Sequence, residues 1–169
     1  MSAAGTAPRW AAALEGLPHE ISAEQDGPCV RVALADLREA LKRLRDRAGF
    51  AMCTFVTCID GYPKEPRFEL CHQLLSLEHN DRVRVRCTLP GDSAPTCSDL
   101  WPGAVWMERE CFDMFGLRFE GHPDLRRLLM PDGYEHFPLR RDFPHHGIEP
   151  DRLYREWDRK RREHWTQTP

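Results

Sequence analysis

Cysteines and histidines are the residues of this chain that could bind a metal ion or an iron-sulfur cluster. The seven cysteines form an odd set without a C-x-x-C pair, which favours free thiols in a reducing compartment over disulfides. Cys53 and Cys58 lie an odd number of residues apart on one predicted strand, so their side chains should point to opposite faces of the sheet. The pair His145 and His146 lacks partner ligands at the spacings of structural zinc sites. We therefore expect packed thiols, with His72 as a hydrogen-bonded core histidine, instead of a metal centre.

Carboxylates offer the other candidate chemistry. Glu110 and Asp113 share a predicted helix face with Trp106 and could form an acid-base pair. However, Arg109 lies four residues before Asp113, and an ion pair at that spacing favours a neutralised structural carboxylate over a perturbed catalytic one. Glycine-rich phosphate loops, a G-x-S-x-G elbow and an H-E-x-x-H helix are all absent from the sequence. The sequence therefore predicts no active site within this chain.

Charge and hydropathy argue against two further classes of function. The formal net charge is -3 and the sequence pI is about 6.2, whereas domains that bind nucleic acid are usually clearly basic. No apolar run approaches the roughly 20 residues that a membrane helix needs. Residues 1–20 lack the apolar core of a secretory signal peptide, and their single arginine is unlike an arginine-rich transit peptide. We therefore expect a bacterial cytosolic location.

Periodicity and turn residues predict the elements that must position these side chains. Alternating apolar residues bounded by turn signals predict strands at residues 19–25, 29–34, 50–59, 67–76 and 82–89. Asp36 is expected to cap a helix whose leucines recur on one face and which ends before Gly49. Further helices are predicted at residues 10–17 and 103–115, the second of them stopped by Gly116.

This order of elements predicts an α+β fold followed by an extended tail. The domain, residues 1–116, should be two-layered, with helices covering one face of a mixed sheet. Residues 117–169 should form the tail, because prolines and glycines recur as far as residue 150 and allow at most one turn at residues 124–129. A charged surface helix is predicted at residues 150–165.

The tail carries balanced charges and many hydrophobic residues. Its arginines, at positions 118, 126, 127, 140 and 141, are matched by acidic residues at positions 120, 124, 132, 135 and 142. An extended segment cannot bury its own backbone groups or charges. In a solvated loop its leucines and phenylalanines would be exposed to water without any packing partner. We therefore expect the tail to lie as a strap on another protein and to become ordered there.

Three blocks of sequence carry a family resemblance. They are WPGAVWMERECFDMFG at residues 101–116, FEGHPDLRRLL at 119–129 and PLRRDFP at 138–144. In type, order and separation they resemble the thirty-kilodalton (C-type) subunit family of respiratory complex I, the proton-pumping NADH:quinone oxidoreductase. Weaker agreement extends back through residues 67–76 to Val30. One departure is His136-Phe137, where the family usually has Gly-His.

The resemblance implies a hydrophilic peripheral-arm subunit that binds no cofactor itself, with FMN and iron-sulfur clusters on other subunits. It implies a hetero-oligomer in which the tail wraps the large quinone-site subunit near the quinone-reducing module. The complex would hold the chain at the cytoplasmic face of the bacterial inner membrane. Residues expected at the partner interface are Glu108, Arg109, Glu110, Asp113, Arg118, His122, Arg126, Arg127, Leu139, Arg140, Arg141 and Asp142.

Other assignments fit parts of this pattern. The same blocks would occur in the homologous subunit of a membrane-bound nickel-iron hydrogenase, or of a complex I variant with another electron donor. An independent iron-sulfur or zinc protein that uses the cysteines belongs to a different class. Companion subunits distinguish the first two alternatives, and metal analysis of the purified chain tests the third.

Overall fold

Five strands form a mixed sheet, which confirms the predicted α+β class. The structure is a computed structural model that describes residues 8–25, 27–146 and 152–166. The strands are β1 His19–Glu24, β2 Gly27–Val32, β3 Met52–Asp60, β4 Phe68–Ser76 and β5 Asp81–Leu89. Their order across the sheet is β1-β2-β5-β4-β3, in which β2 and β5 are parallel and the other neighbours antiparallel. A short 3-10 helix, Arg9–Leu14, precedes β1.

Helix α1, Leu34–Ala48, packs on the sheet through its leucines, as the periodicity predicts. The buried leucines are Leu37, Leu41 and Leu44. The expected cap was wrong, because the helix begins before Asp36 and its N-cap residue is Ala33, which makes no side-chain cap hydrogen bond. Asp36 instead lies in the first turn, where its negative charge favours the helix dipole. Gly49 ends the helix at a φ of 75°, as predicted.

Helix α2, Ala104–Phe115, packs against β3 and ends at Gly116, as predicted. A small parallel sheet flanks it, formed by β6, Ser93–Pro95, and β7, Arg118–Glu120. The sequence did not predict this sheet, because strands of three residues are too short to show a period. Leu117 and Phe119 are both buried, so the hydrophobic core continues past the end of α2.

The alternation in β5 divides the main sheet into a buried face and a charged face. Val83, Val85, Cys87 and Leu89 join the hydrophobic core together with buried residues of α1 and α2. Arginines and glutamates of neighbouring strands pair on the opposite face; they are Glu24, Arg31, Glu69, Arg84 and Arg86. One core face and one polar face are what a sheet covered by helices on one side requires.

His72 lies in the core, but its predicted hydrogen bond was wrong. The strand register places it opposite Val56 and Val85, and neither ring nitrogen has a hydrogen-bond partner among the described residues. Complete burial among apolar neighbours lowers the pKa of His72 to about 4. All seven cysteines are free, and only Cys53 is not fully buried.

The tail leaves the small sheet as an extended segment. Residues 121–146 contain neither helix nor strand, and no helical turn forms at residues 124–129. Helix α3, Arg152–Thr166, follows, close to the predicted bounds, although residues 150 and 151 lie outside the described part. Within the described chain, no helix is both long and apolar enough to cross a membrane.

Candidate interaction site along the tail

Asp113 fastens the first part of the tail to α2. Its Oδ2 accepts the backbone N–H groups of Leu128, Leu129 and Met130 at 3.1, 2.6 and 2.9 Å. Its Oδ1 accepts Nη1 of Arg127 at 2.9 Å, in an ion pair whose carboxylate is 0% exposed. These N–H groups are thus used by a side chain, which explains why no helical turn forms there. We call Asp113 with Arg127 and the 128–130 backbone the Asp113 anchor.

The Asp113 anchor settles how this buried carboxylate is charged. Burial alone would raise the pKa of Asp113, but the N–H of Met130 and the guanidinium of Arg127 outweigh it and lower the pKa. The carboxylate is therefore ionised at neutral pH and compensated by a cation. An acid-base role would instead need a raised pKa, closer to neutral pH.

Arg109 does not neutralise Asp113, so the predicted helical pair was wrong. Its Nε and Nη2 instead donate to the backbone carbonyls of Arg126 and Arg127 at 3.1 and 2.7 Å. The guanidinium also lies 5.1 Å from the ring of Trp106. Arg109 therefore holds the same stretch of tail from its carbonyl side.

Arg67 fastens the second part of the tail to the sheet. Its Nη2 lies 2.7 Å from Asp60 Oδ2 and 2.6 Å from Asp142 Oδ1. Asp60 also accepts the backbone N–H of Arg141 at 2.8 Å. The hydrogen bonds from Arg67 hold the pKa of Asp60 well below its usual range. We call Asp60, Arg67 and Asp142 the Arg67 anchor.

Arg140 lies between the two anchors. Its Nε donates to the carbonyl of Phe115 at 2.6 Å, and its guanidinium carbon lies 4.4 Å from the ring of Phe137 and 5.5 Å from that of Phe68. Gly116 has no side chain to obstruct this approach. Leu139 donates its N–H to the carbonyl of Met114 at 3.2 Å.

Glu108 and His122 form a buried polar contact at the other end of α2. The carboxylate accepts Oγ1 of Thr96 at 2.5 Å and the N–H of Cys97 at 2.7 Å, and it lies 3.9 Å from Nε2 of His122. The N–H of Asp124 donates to Nδ1 of His122, so Nε2 carries the proton and donates to the carbonyl of Val105 at 3.1 Å. This contact fixes the start of the tail.

The structure gives most of the predicted interface residues a partner within the chain. Those whose polar groups are bound in this way are Glu108, Arg109, Asp113, His122, Arg127, Arg140 and Asp142. Those with side chains open to solvent, in part or in full, are Glu110, Arg118, Arg126, Leu139 and Arg141. The domain itself thus supplies partners for some of the tail charges, among them Arg127 and Asp142, while the expectation that the tail lies on another protein stays a prediction. The sequence did not place Asp60 or Arg67 at the site, and it predicted for Gly116 only that it ends α2.

Comparison with known proteins identifies a family for this chain. The family model described as the 30 Kd subunit of respiratory-chain NADH dehydrogenase matches residues 30–149. The chain belongs to this family. Both anchors and Arg140 lie within the matched residues, so the site described above is part of the family region.

Relatives in the family are named as C-type subunits of NADH-quinone oxidoreductase. The one named C 2 in Rhizobium meliloti is 51% identical over 92 residues, which cover 54% of this chain and 50% of the relative. The C-type protein of Laribacter hongkongensis is 44% identical over 113 residues, covering 62% and 58%. The one named C/D 2 in Aquifex aeolicus is 50% identical over 113 residues, covering 66% and 19%. The chain thus spans about half the length of the two C-type relatives and about a fifth of the C/D protein.

A solved structure supports the fold. It is described as the trypsin-resistant fragment (1-134) of Nqo5 and is 31% identical to this chain, with a TM-score of 0.58. The match covers 63% of this chain and 89% of that structure. Membership of the family thus agrees with the observed architecture.

Proposed function

We propose that this chain is a non-redox subunit of the peripheral arm of the proton-pumping NADH:quinone oxidoreductase. Its domain and fastened tail form one surface against which the large quinone-site subunit packs, in a hetero-oligomer at the cytoplasmic face of the bacterial inner membrane. FMN and iron-sulfur clusters are held by other subunits. The chain supports electron transfer from NADH to quinone by architecture alone.

One observation carries this proposal: residues of the family blocks hold the tail in a fixed shape. The Asp113 anchor, the Arg67 anchor and Arg140 fix residues 127–142 against α2 and the sheet. That shape leaves Trp106, Leu129 and Leu139 at least half exposed. Large apolar side chains on a fixed surface suit a protein partner, whereas an isolated soluble domain gains nothing from displaying them.

The burial and protonation of the cysteine thiols support the idea that the redox groups are bound by other subunits. Among the described residues, no three His, Cys, Asp or Glu side chains converge in a way that could hold a metal ion. Burial raises the pKa of Cys58 to about 12 and those of Cys71 and Cys87 to about 11. Metal and cluster ligands are thiolates, so these buried thiols are poor candidates.

The names of the relatives support the assembly. Several are named as C-type subunits of NADH-quinone oxidoreductase, and the Aquifex relative is named C/D. That name joins two subunits in one protein, which supports the idea that a C-type protein lies directly beside a D-type protein in the assembly.

Purification of the tagged full-length chain from native membranes tests the proposal. We expect the large quinone-site subunit and the NADH-oxidising subunits to co-purify, and the preparation to reduce quinone with NADH. Co-purification with hydrogenase subunits, or with subunits that use another electron donor, would assign the chain to a related machine. Recovery of the chain alone from intact membranes would contradict any role as a subunit.

A further inference from the structure

Unlike Arg67 and Arg127, Arg140 has no salt bridge to an acidic residue among the described residues. Arg67 and Arg127 each contact a carboxylate, at distances between 2.6 and 2.9 Å. In the part of the chain that the structure describes, Arg140 has one hydrogen bond, from Nε to the carbonyl of Phe115, and no salt bridge. A half-buried cation without a counter-charge is costly unless something outside the chain compensates it.

The surroundings of Arg140 increase this cost. The rings of Phe68 and Phe137 displace water from the guanidinium and attract it through their faces, but they supply no negative charge. Burial and then the positive charge of Arg67 lower the pKa of Arg140, and together they outweigh the attraction of Asp142, Asp60 and Asp92. The aspartates of the Arg67 anchor lie nearby, but their oxygens are hydrogen-bonded to Arg67 itself.

The terminal nitrogens of Arg140 remain reachable. Neither Nη atom donates to an acceptor within the described residues, and neither is among the enclosed polar atoms. Because Nε and two rings hold the guanidinium, its free Nη atoms keep one orientation. Nη2 packs closely over Gly116, so a carboxylate would accept from the remaining edge of the guanidinium. Because the guanidinium is already held in place, little ordering is needed on binding.

We propose that Arg140 binds a carboxylate of a partner protein, with Leu139 packing on apolar surface beside it. The inference rests on the proposed function, in which the chain is a subunit of an assembly. Leu139 is 52% exposed and directly precedes Arg140 in the sequence. An arginine next to an exposed aliphatic side chain is typical of a protein interface, whereas a lipid headgroup or free phosphate has no use for the leucine.

Zero-length coupling in the assembled complex tests this proposal. The Arg140→Lys variant keeps the positive charge, and a carbodiimide joins its amine to any carboxylate in contact with it. Mass spectrometry should then find the introduced lysine coupled to an Asp, a Glu or a terminal carboxyl of another subunit. Arg67→Lys is the matched control, since its lysine should couple to Asp60 or Asp142 of the same chain. An introduced lysine at position 140 that couples only within the chain, to a lipid, or to nothing would overturn the proposal.

A second variant keeps the test decisive if Arg140→Lys assembles poorly. Arg140→Gln should lower the yield of co-purified partner more than about tenfold, because it leaves a partner carboxylate buried and unpaired. Arg47→Gln, an exposed site on α1, should leave the yield unchanged. Wild-type yield of the partner with Arg140→Gln would overturn the proposal. A wild-type chain that co-purifies with no other protein of the assembly would instead refute the proposed function.

Discussion

A Cβ atom on Gly116 would lie 2.5 Å from Nη2 of Arg140 and 2.8 Å from the ring of Phe137. The missing side chain at the end of α2 is therefore what lets the tail approach the domain. Gly116 also has a φ of 80°, so two separate effects oppose any larger residue there.

Gly116→Ala should release the tail, and Gly49→Ala separates the two effects. Both glycines follow a helix in the left-handed conformation, so backbone strain alone should cost each variant about 1 to 2 kcal/mol of unfolding free energy. A Cβ on Gly49 meets only ordinary contacts at 3.6 Å or more. Only Gly116→Ala should therefore speed hydrogen exchange at the N–H of Leu139, which donates to Met114. Equal exchange in the two variants would show that the tail is held without this approach.

Asp113→Asn should destabilise the isolated chain by about 3 to 5 kcal/mol. The substitution removes the buried negative charge opposite Arg127 and disturbs an oxygen that accepts three N–H groups. Asp46→Asn is a matched control, because Asp46 is exposed on α1 and its pair with Arg45 should contribute very little to stability. Urea unfolding measures both values. Similar small losses in the two variants would mean that the Asp113 anchor is not formed in the free chain.

His72→Leu should remove a mild-acid sensitivity of the fold. The pKa of His72 is about 4 in the folded chain against an ordinary 6.5, so protonation favours unfolding and stability falls as pH drops through this window. Between pH 7 and 5, His72 should lower the unfolding free energy of the wild type by about 2 kcal/mol. The variant should lack this part of the loss. Unfolding free energies at the two pH values measure it. The same pH dependence in both proteins would contradict a buried, neutral His72.

The purified chain should contain neither iron nor acid-labile sulfide and should be colourless. The thiols are buried and the described residues offer no converging ligand set, so no cluster should assemble on them. Anaerobic purification followed by a visible spectrum and by iron and sulfide assays is the measurement. Stoichiometric iron would favour the alternative of an independent iron-sulfur protein.

The sequence predicts those parts of the fold that depend on local pattern. Alternation in β5 and the leucine spacing of α1 each express a repeat within one element, so both elements were found within a few residues of their bounds. The Arg67 anchor has no such local signal. Arg67 and Asp142 are 75 residues apart in sequence, and only the folded sheet brings them together.

The pairing of charges within one helix was also not predictable from local spacing. Helical spacing favours Arg109 as the partner of Asp113, since both side chains project from one helix. The folded tail changes that choice, because it offers Arg109 two backbone carbonyls and offers Asp113 the guanidinium of Arg127. The family blocks identified the relevant residues, but their contacts depend on a path of the tail that no periodicity encodes.

The architectural role is tested most directly by quinone reduction with NADH in membranes that carry Arg67→Ala or Asp142→Ala, normalised to assembled complex. Arg67→Ala leaves the nearly enclosed Asp60 without its cation and should lower the amount of complex strongly, whereas Asp142→Ala, at an exposed site, should lower it less. The rate per assembled complex should stay at the wild-type value in both variants. Normal assembly with lost turnover would contradict it, because these residues would then act in the quinone chemistry itself.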